Sequence, residues 1–409
     1  MVLKTDIPIV DGVDVTKYQN IPRSVDYFFD IPEEMPKYIA NVNKEGYGLL
    51  QVSTKRLRSR KFFSWGKCNA SDHWQEFLTD QAGRYVEIQA GLAKTQYGCL
   101  PMAPHTAWEW VERYGPVQVD PEMLDKSGKE RTAWLTGKLM EEKIPEELEN
   151  RRISTKSLAK SPAEVIWKGS GFGAMRPYTR GAEHLAFEMK EPGLLRWKEF
   201  LEAGKLGEKD PLERPDEFCV DQENYPLLEQ AVDGEEAKNW YAWYLLGIGY
   251  YTADRWEDSR RAFERSWELE ENPWAAHGTA TACMMQDAKE PAALWIARGI
   301  AMRKEDVSYL KEGMKLLFQC ESYETLKQIY EDLSENMRNV GKLKFLYISA
   351  LHALGEDGRA YELLEENGGL EMEDIREGED SIAQLWTELK ESVTGERGEV
   401  PYRYDFKAY

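Results

Sequence analysis

From residue 1 to about 118 the chain alternates apolar and polar residues in short runs rich in aromatic and β-branched side chains, broken by glycine, proline and asparagine. Such runs predict strands, because successive side chains on a strand point to opposite faces. The run Lys37 to Asn43, the turn signal Lys44-Glu45-Gly46 and the run Tyr47 to Ser53 predict a hairpin. Further strands are expected over Lys61 to Trp65, Arg84 to Ala90 and His105 to Val111. Strands that follow one another without an intervening helical pattern predict an antiparallel sandwich rather than βαβ units.

Between about 119 and 235, charged helical stretches such as Lys129 to Lys143 alternate with prolines, among them Pro145, Pro162 and Pro192. This predicts a helical and irregular connector, packed through residues such as Trp134, Leu135, Trp167 and Trp197. From 236 to 398 the pattern is helical and repetitive. Trp243, Leu246, Gly247 and Tyr250, followed by Phe263 and Pro273, match the W-x2-L-G-x2-Y pattern of tetratricopeptide repeats, with its later aromatic and closing proline. Trp243, Leu246 and Tyr250 form one helical stripe, Gly247 admits a second helix, and Phe263 returns from that helix to fill the seam. Looser pairs follow over about 274–302, 305–335 and 340–366. Four pairs exceed the roughly three that such an array needs. An unrelated α-hairpin bundle is the alternative reading. Residues 399–409 are a tail.

With 409 residues, 42% hydrophobic and 12% aromatic, the chain has material for two or three packed domains. Its 73 acidic residues against 53 basic ones give a net charge of −20, which argues against nucleic acid and anionic membranes as partners. No run approaches the ~20 apolar residues of a membrane span, and the first residues lack the pattern of a signal peptide. A cytoplasmic location is expected. Cys68, Cys99, Cys219, Cys283 and Cys320 are scattered without a CxxC pair, so free thiols are expected. His73, His105, His184, His277 and His352 form no HxxxH or HxH pair, so neither a metal nor another cofactor is expected.

Two motifs invite stronger readings. Gly169, Gly171 and Gly173 look like a phosphate loop, but Pro177 interrupts the helix that a dinucleotide site needs, so a structural glycine turn is expected. The acidic run Glu371 to Asp380 lacks the spacing of a calcium loop and is read as a solvated capping segment at the end of the repeats.

The strand Arg84 to Ala90 is the most informative. Period-two geometry sends Tyr85, Glu87 and Gln89 to one face and Val86, Ile88 and Ala90 to the other. A ring, a carboxylate and an amide in a row suit a sugar, whose apolar face packs on rings while its hydroxyls bond polar groups. The alternative is an ordinary solvated face with an ion-paired Glu87.

The stretch Phe62-Phe-Ser-Trp65-Gly66, with Trp74 to Asp80, Gly83 to Gly91, Thr95-Gln96 and Trp108-Glu-Trp110, resembles the closing strands of a galactose-mutarotase-like β-supersandwich. More particularly, the chain resembles a bacterial family of uncharacterised function in which that domain precedes tetratricopeptide repeats. The glycine connector from Gly169, Leu385-Trp386 and Tyr404-Asp-Phe406 agree with it. The resemblance implies an α+β multidomain chain, a partial antiparallel β-sandwich over 1–118 followed by a helical solenoid, and a chain that begins inside the sandwich. It implies a carbohydrate ligand and a relative of glycoside hydrolases or aldose epimerases. The implied site is Glu87 as catalytic carboxylate, with Trp65, Trp74, Tyr85, Gln89 and Gln96 binding substrate; Asp72, Glu76 and Glu109 are candidates for the second carboxylate, ~5–9.5 Å away, that glycoside chemistry uses. The alternative is a non-catalytic scaffold whose repeats bind a protein or peptide. Uncovered strand edges and apolar faces predict self-association.

Overall fold

The computed structural model describes residues 9–162, 164–169, 171–175, 185–216, 224–375 and 379–407. The glycine-connector residues 176–184, with His184, and the segment holding Cys219 lie outside them. The chain divides into two compact units: residues 1–161 with 376–383 and 400–409, and residues 162–375 with 384–399.

The first unit holds strands β1 (Ile9–Val10), β2 (Val13–Asp14), β3 (Val25–Phe29), β4 (Lys37–Val42), β5 (Tyr47–Ser53), β6 (Ser59–Ser64), β7 (Val86–Gly91) and β8 (Glu112–Gln118). All pairing within the strands is antiparallel: a β1-β2 ribbon and two three-stranded sheets, β3-β6-β7 and β4-β5-β8. The expected hairpin is β4-β5, in which Gly46 takes φ +80° at the turn. The strand expected over His105 to Val111 is displaced. Pro101 and Pro104 precede a segment without strand structure, His105 takes φ 60°, and the ladder begins at Glu112 opposite Ser53. Pro116 lies within β8, which pairs only with β5; an edge strand tolerates the missing donor.

A helix also interrupts the region read as wholly β. In α1 (Asn69–Thr79), Ala70, Ser71, Trp74 and Gln75 form the buried stripe, and Asp80 ends the helix in the left-handed conformation. Trp74 donates its indole N–H to the Phe406 carbonyl at 2.6 Å, and Phe406 packs on the rings of His73, Trp74 and Phe77. Burial pushes the His73 imidazole below its usual range, although the Asp405 carbonyl lies 3.2 Å from Nδ1 and favours the charged form. A group whose folded pKa lies below its unfolded value of about 6.5 binds fewer protons when folded, so stability falls as pH drops through that value. Urea midpoints of this unit should therefore decline below pH ~6.5, and His73→Phe should flatten the decline. An identical pH slope in the variant would assign it to other groups.

This unit also holds the helices α2 (Pro121–Leu124), α3 (Gly128–Glu141) and α4 (Ile144–Thr155). Ser127 and Glu130 form a capping box at the start of α3. Leu135, Leu139, Ile144 and Leu148 bury their side chains against one face of β4-β5-β8, on Val52, Leu50 and Val117. On the other face, Arg60 of β6 covers one corner, donating to the Lys37 carbonyl and to the Ser53 hydroxyl. Beyond that corner Tyr47, Leu49 and Tyr114 stay exposed.

The second unit is helical: α5 (Gly171–Met175), α6 (Pro192–Ala203), α7 (Tyr225–Val232), α8 (Trp240–Thr252), α9 (Trp256–Leu269), α10 (Pro273–Met285), α11 (Lys289–Met302), α12 (Val307–Gln319), α13 (Tyr323–Glu331), α14 (Glu335–Arg338), α15 (Gly341–Ala353), α16 (Asp357–Glu365), and the part of α17 (Ser381–Thr394) from residue 384 onward. The tight glycines at 169 and 173 have a packing cause. A Cβ at either would fall within 2.6 or 2.1 Å of the Phe187 ring.

Four hairpins stack in sequence: α8-α9, α10-α11, α12-α13 and α15-α16. Their period is written in the turns. Asp254, Asp287, Glu321 and Gly355 each take a left-handed φ between the paired helices, at +58°, +57°, +58° and +79°. Asn239, Asn272 and Asp306 cap α8, α10 and α12 by accepting from the backbone N–H of Tyr241, Ala275 and Tyr309. Phe263 sits between neighbouring hairpins, so close that a Cβ at Gly247 or Gly278 would lie 2.6 or 2.7 Å from its ring. The acidic run after residue 370 is not simply solvated: Met372 and Ile375 are buried, and Lys311 bonds Asp374 at 2.7 Å. N-terminal antiparallel sheets followed by a helical-repeat region is therefore the architecture of the chain.

Candidate functional site

In the β3-β6-β7 sheet, register sets two rows across one face: Asp26, Phe63 and Glu87, then Phe28, Lys61 and Gln89. The segment after β7, from Leu92 to Leu100, together with Trp108 completes a pocket of about 380 Å³, whose lining includes Phe28, Ser59, Lys61, Gln89 and Gln96.

Lys61 dominates the electrostatics. Its side chain is 11% exposed; the ammonium lies 2.9 Å from Asp26 Oδ1 and donates to Gln96 Oε1 at 2.9 Å. An ammonium carries three N–H groups, so these partners leave one for a ligand. The rings of Phe28 and Phe63, 5.9 and 5.7 Å from Nζ, add cation–π attraction. Gln89 donates to Glu87 Oε2 at 3.3 Å, which leaves the Gln89 amide oxygen as an acceptor. Arg56 stacks over Trp108 at 4.4 Å and holds that ring. One shielded cation, two amides, a hydroxyl and aromatic walls can hold a small oxygen-rich ligand.

The residues expected from the sequence divide sharply. Gln89 and Gln96 line the pocket, and Glu87 touches the lining through Gln89. Tyr85 packs edge-on to Trp65 at 6.5 Å. Trp65 and Trp74 are 2% and 1% exposed and stack on each other at 6.1 Å, so they are core residues with no ring face open to a ligand. The candidate second carboxylates are engaged elsewhere: Asp72 with Arg84, Glu76 with the Tyr402 hydroxyl at 2.5 Å, and Glu109 with Arg152. Lys61, Phe28 and Trp108, with Asp26 at the Lys61 ammonium, are pocket residues beyond those expected from the sequence to bind a ligand.

Residues 4–108 match a family described as Domain of unknown function (DUF5107). Over 97% of its length the chain is similar in structure to a TPR-domain containing protein from Parabacteroides distasonis ATCC 8503, with a TM-score of 0.57 and 14% identity. The chain spans 60% of the length of that protein. A Podosopora anserina putative kinesin light chain with nearly identical TPR-like repeats matches 35% of this chain and 83% of its own length, at 18% identity and a TM-score of 0.28. The likeness to the Parabacteroides protein shows the fold: helical repeats of tetratricopeptide type behind a unit of antiparallel sheets. Among the described residues no helix is long and apolar enough to cross a membrane.

Proposed function

We propose that this chain is a protein-interaction scaffold built on its helical repeats. One observation carries the reading. On the second helices of adjacent hairpins, α9 and α11, Trp267 and Trp295 meet edge to face at 5.5 Å, Arg298 lies 4.6 Å over Trp295, and Leu294 beside it is 66% exposed. Tryptophan and arginine dominate the energetic centres of protein interfaces, and a stack in which hairpins pack on their neighbours keeps such a face open along its length.

A second reading is favoured by the pocket in the first unit, and it accords with the galactose-mutarotase-like resemblance of that region. Here a carbohydrate places its hydroxyls on Lys61, Gln89 and Gln96 and its apolar face on Phe28 and Trp108, while Glu87 orients the Gln89 amide. Glu87→Gln separates positioning from chemistry. A fall in glycan turnover of roughly a hundredfold to ten-thousandfold at unchanged affinity marks acid–base catalysis, whereas weaker binding alone marks positioning.

The two readings are separable in the 409-residue chain by probing peptide and glycan arrays with Trp295→Ala and Lys61→Ala variants. The scaffold reading expects peptide binding that is lost with Trp295→Ala and kept with Lys61→Ala. Absence of peptide binding, beside glycan binding abolished by Lys61→Ala, would replace the first reading with the second.

A further inference from the structure

We propose that the repeat unit carries a groove that reads main-chain carbonyls, and that residues 204–216 occupy this groove in cis, in the place of an acidic peptide from a partner. The inference rests on the scaffold reading and gives it a site.

The segment between α6 and residue 216 leaves the helix at Gly204, whose φ of +71° turns the chain. It then runs along the start of α8 to the end of α11. Three side chains of the repeats donate to its backbone carbonyls in turn: Asn239 Nδ2 to Gly207 at 2.9 Å, Trp240 Nε1 to Lys209 at 3.0 Å, and Arg303 Nη1 to Leu212 at 3.1 Å. The Asp216 N–H returns a bond to the Tyr241 hydroxyl at 3.1 Å. Side-chain donors placed on main-chain carbonyls recognise the path of a segment, here one that turns at Gly207 (φ +71°) and again where the Glu213 N–H meets the Asp210 carbonyl at 3.1 Å, without regard to most of its side chains.

The segment's own chemistry specifies what fits. Asp216 meets Arg196 at 3.1 Å and Lys209 at 3.1 Å; Lys209 belongs to the segment, with its side chain 3% exposed and lying 5.7 Å over the Tyr241 ring. Arg303 keeps Asp306 as its partner at 2.6 Å, whereas Arg196 loses the Asp216 carboxylate when the segment leaves, so a replacement must bring a carboxylate to Arg196. A second observation points to a better occupant at the far end. The Trp274 Nε1 and Arg303 Nε atoms are buried without a hydrogen-bond partner among the described residues, and the guanidinium lies 5.1 Å over the Trp274 ring. Two stranded donors beside the last occupied carbonyl invite an acceptor that the cis segment does not provide. Leu212, at the tip, is 51% exposed and leaves room for it.

The test uses the full chain and a fluorescent synthetic peptide of residues 205–216. In the wild type the tethered segment competes at high effective concentration. Lys209→Ala with Asp216→Ala frees that segment without altering the repeats. The proposal expects the peptide to bind the freed protein at least ten times more tightly than the wild type, and Asn239→Ala in the freed background to reverse the gain. Should the double variant lose its helical circular dichroism, Lys209→Met, which keeps the stem on Tyr241 and removes the ion pair, is measured in its place. A folded, freed protein that binds the peptide no better than the wild type overturns the proposal. If peptides from the array still bind through Trp295 in that case, the scaffold reading stands without this site; if none bind, the scaffold reading falls with it.

Discussion

Replacing Arg60 with alanine is expected to cost the N-terminal unit about 3–5 kcal/mol, the largest effect of any single change away from its aromatic core. Arg60 is fully buried where the two sheets meet, and its guanidinium donates to the carbonyls of Leu57, Ser59 and Lys37 and to the Ser53 hydroxyl. Burial pushes the guanidinium down to about 10, against the opposing pull of Glu112. The charge is thus held at a cost, and the four acceptors make it worthwhile; each one stranded without a donor costs on the order of 1–3 kcal/mol, partly offset by entering water. Arg60→Lys should recover only part of the loss, because an ammonium cannot reproduce the planar fork. Urea unfolding followed by tryptophan fluorescence measures this, since Trp65 and Trp74 lie in the same unit. A midpoint unchanged in Arg60→Ala would mean that the corner between the sheets does not hold the unit together.

The second large effect is expected in the repeats. Gly247→Leu places a side chain where even a Cβ would lie 2.6 Å from the Phe263 ring, and Gly278 closes on the same ring from the next hairpin. Overpacking of a tight site costs about 1–3 kcal/mol, and here the ring has glycine on both sides and no free direction to move. Phe263→Ala should relieve the strain, so the double variant Gly247→Leu with Phe263→Ala should lose less stability than the sum of the two single changes. Strict additivity would show that the two residues do not meet as described.

The same two glycines show why parts of the fold were legible in the sequence and others were not. Trp243, Gly247, Tyr250 and Phe263 are long or absent side chains at fixed offsets, so the first hairpin declares itself. The later hairpins keep the period in different chemistry. Their turns, like the Asp254 turn of the first hairpin, need one left-handed residue, which aspartate, glutamate or glycine supplies at 287, 321 and 355, and that variety erases the pattern from a simple motif. The helix Asn69–Thr79 was hidden for a different reason: flanked by strands, its Trp74 and Phe77 read as two more aromatic β residues, although their spacing fits a helix. At the pocket, alternation alone placed Glu87 and Gln89 on one face, and the register agrees. It could not show that Trp65 and Trp74 turn into the core, because that depends on α1 and on Phe406, far along the chain. Nor could it reveal Lys61, whose role depends on Asp26 and Gln96 arriving from separate segments.

The central claim, that the repeats bind a protein partner, is tested most directly by hydrogen exchange of the full chain, resolved along the sequence, with and without the tightest peptide from the array. The scaffold account predicts slowed exchange confined to segments between residues 204 and 319, with the strands that build the Lys61 pocket unchanged. Slowing confined to residues 59–100, with the repeats indifferent to the peptide, would contradict it.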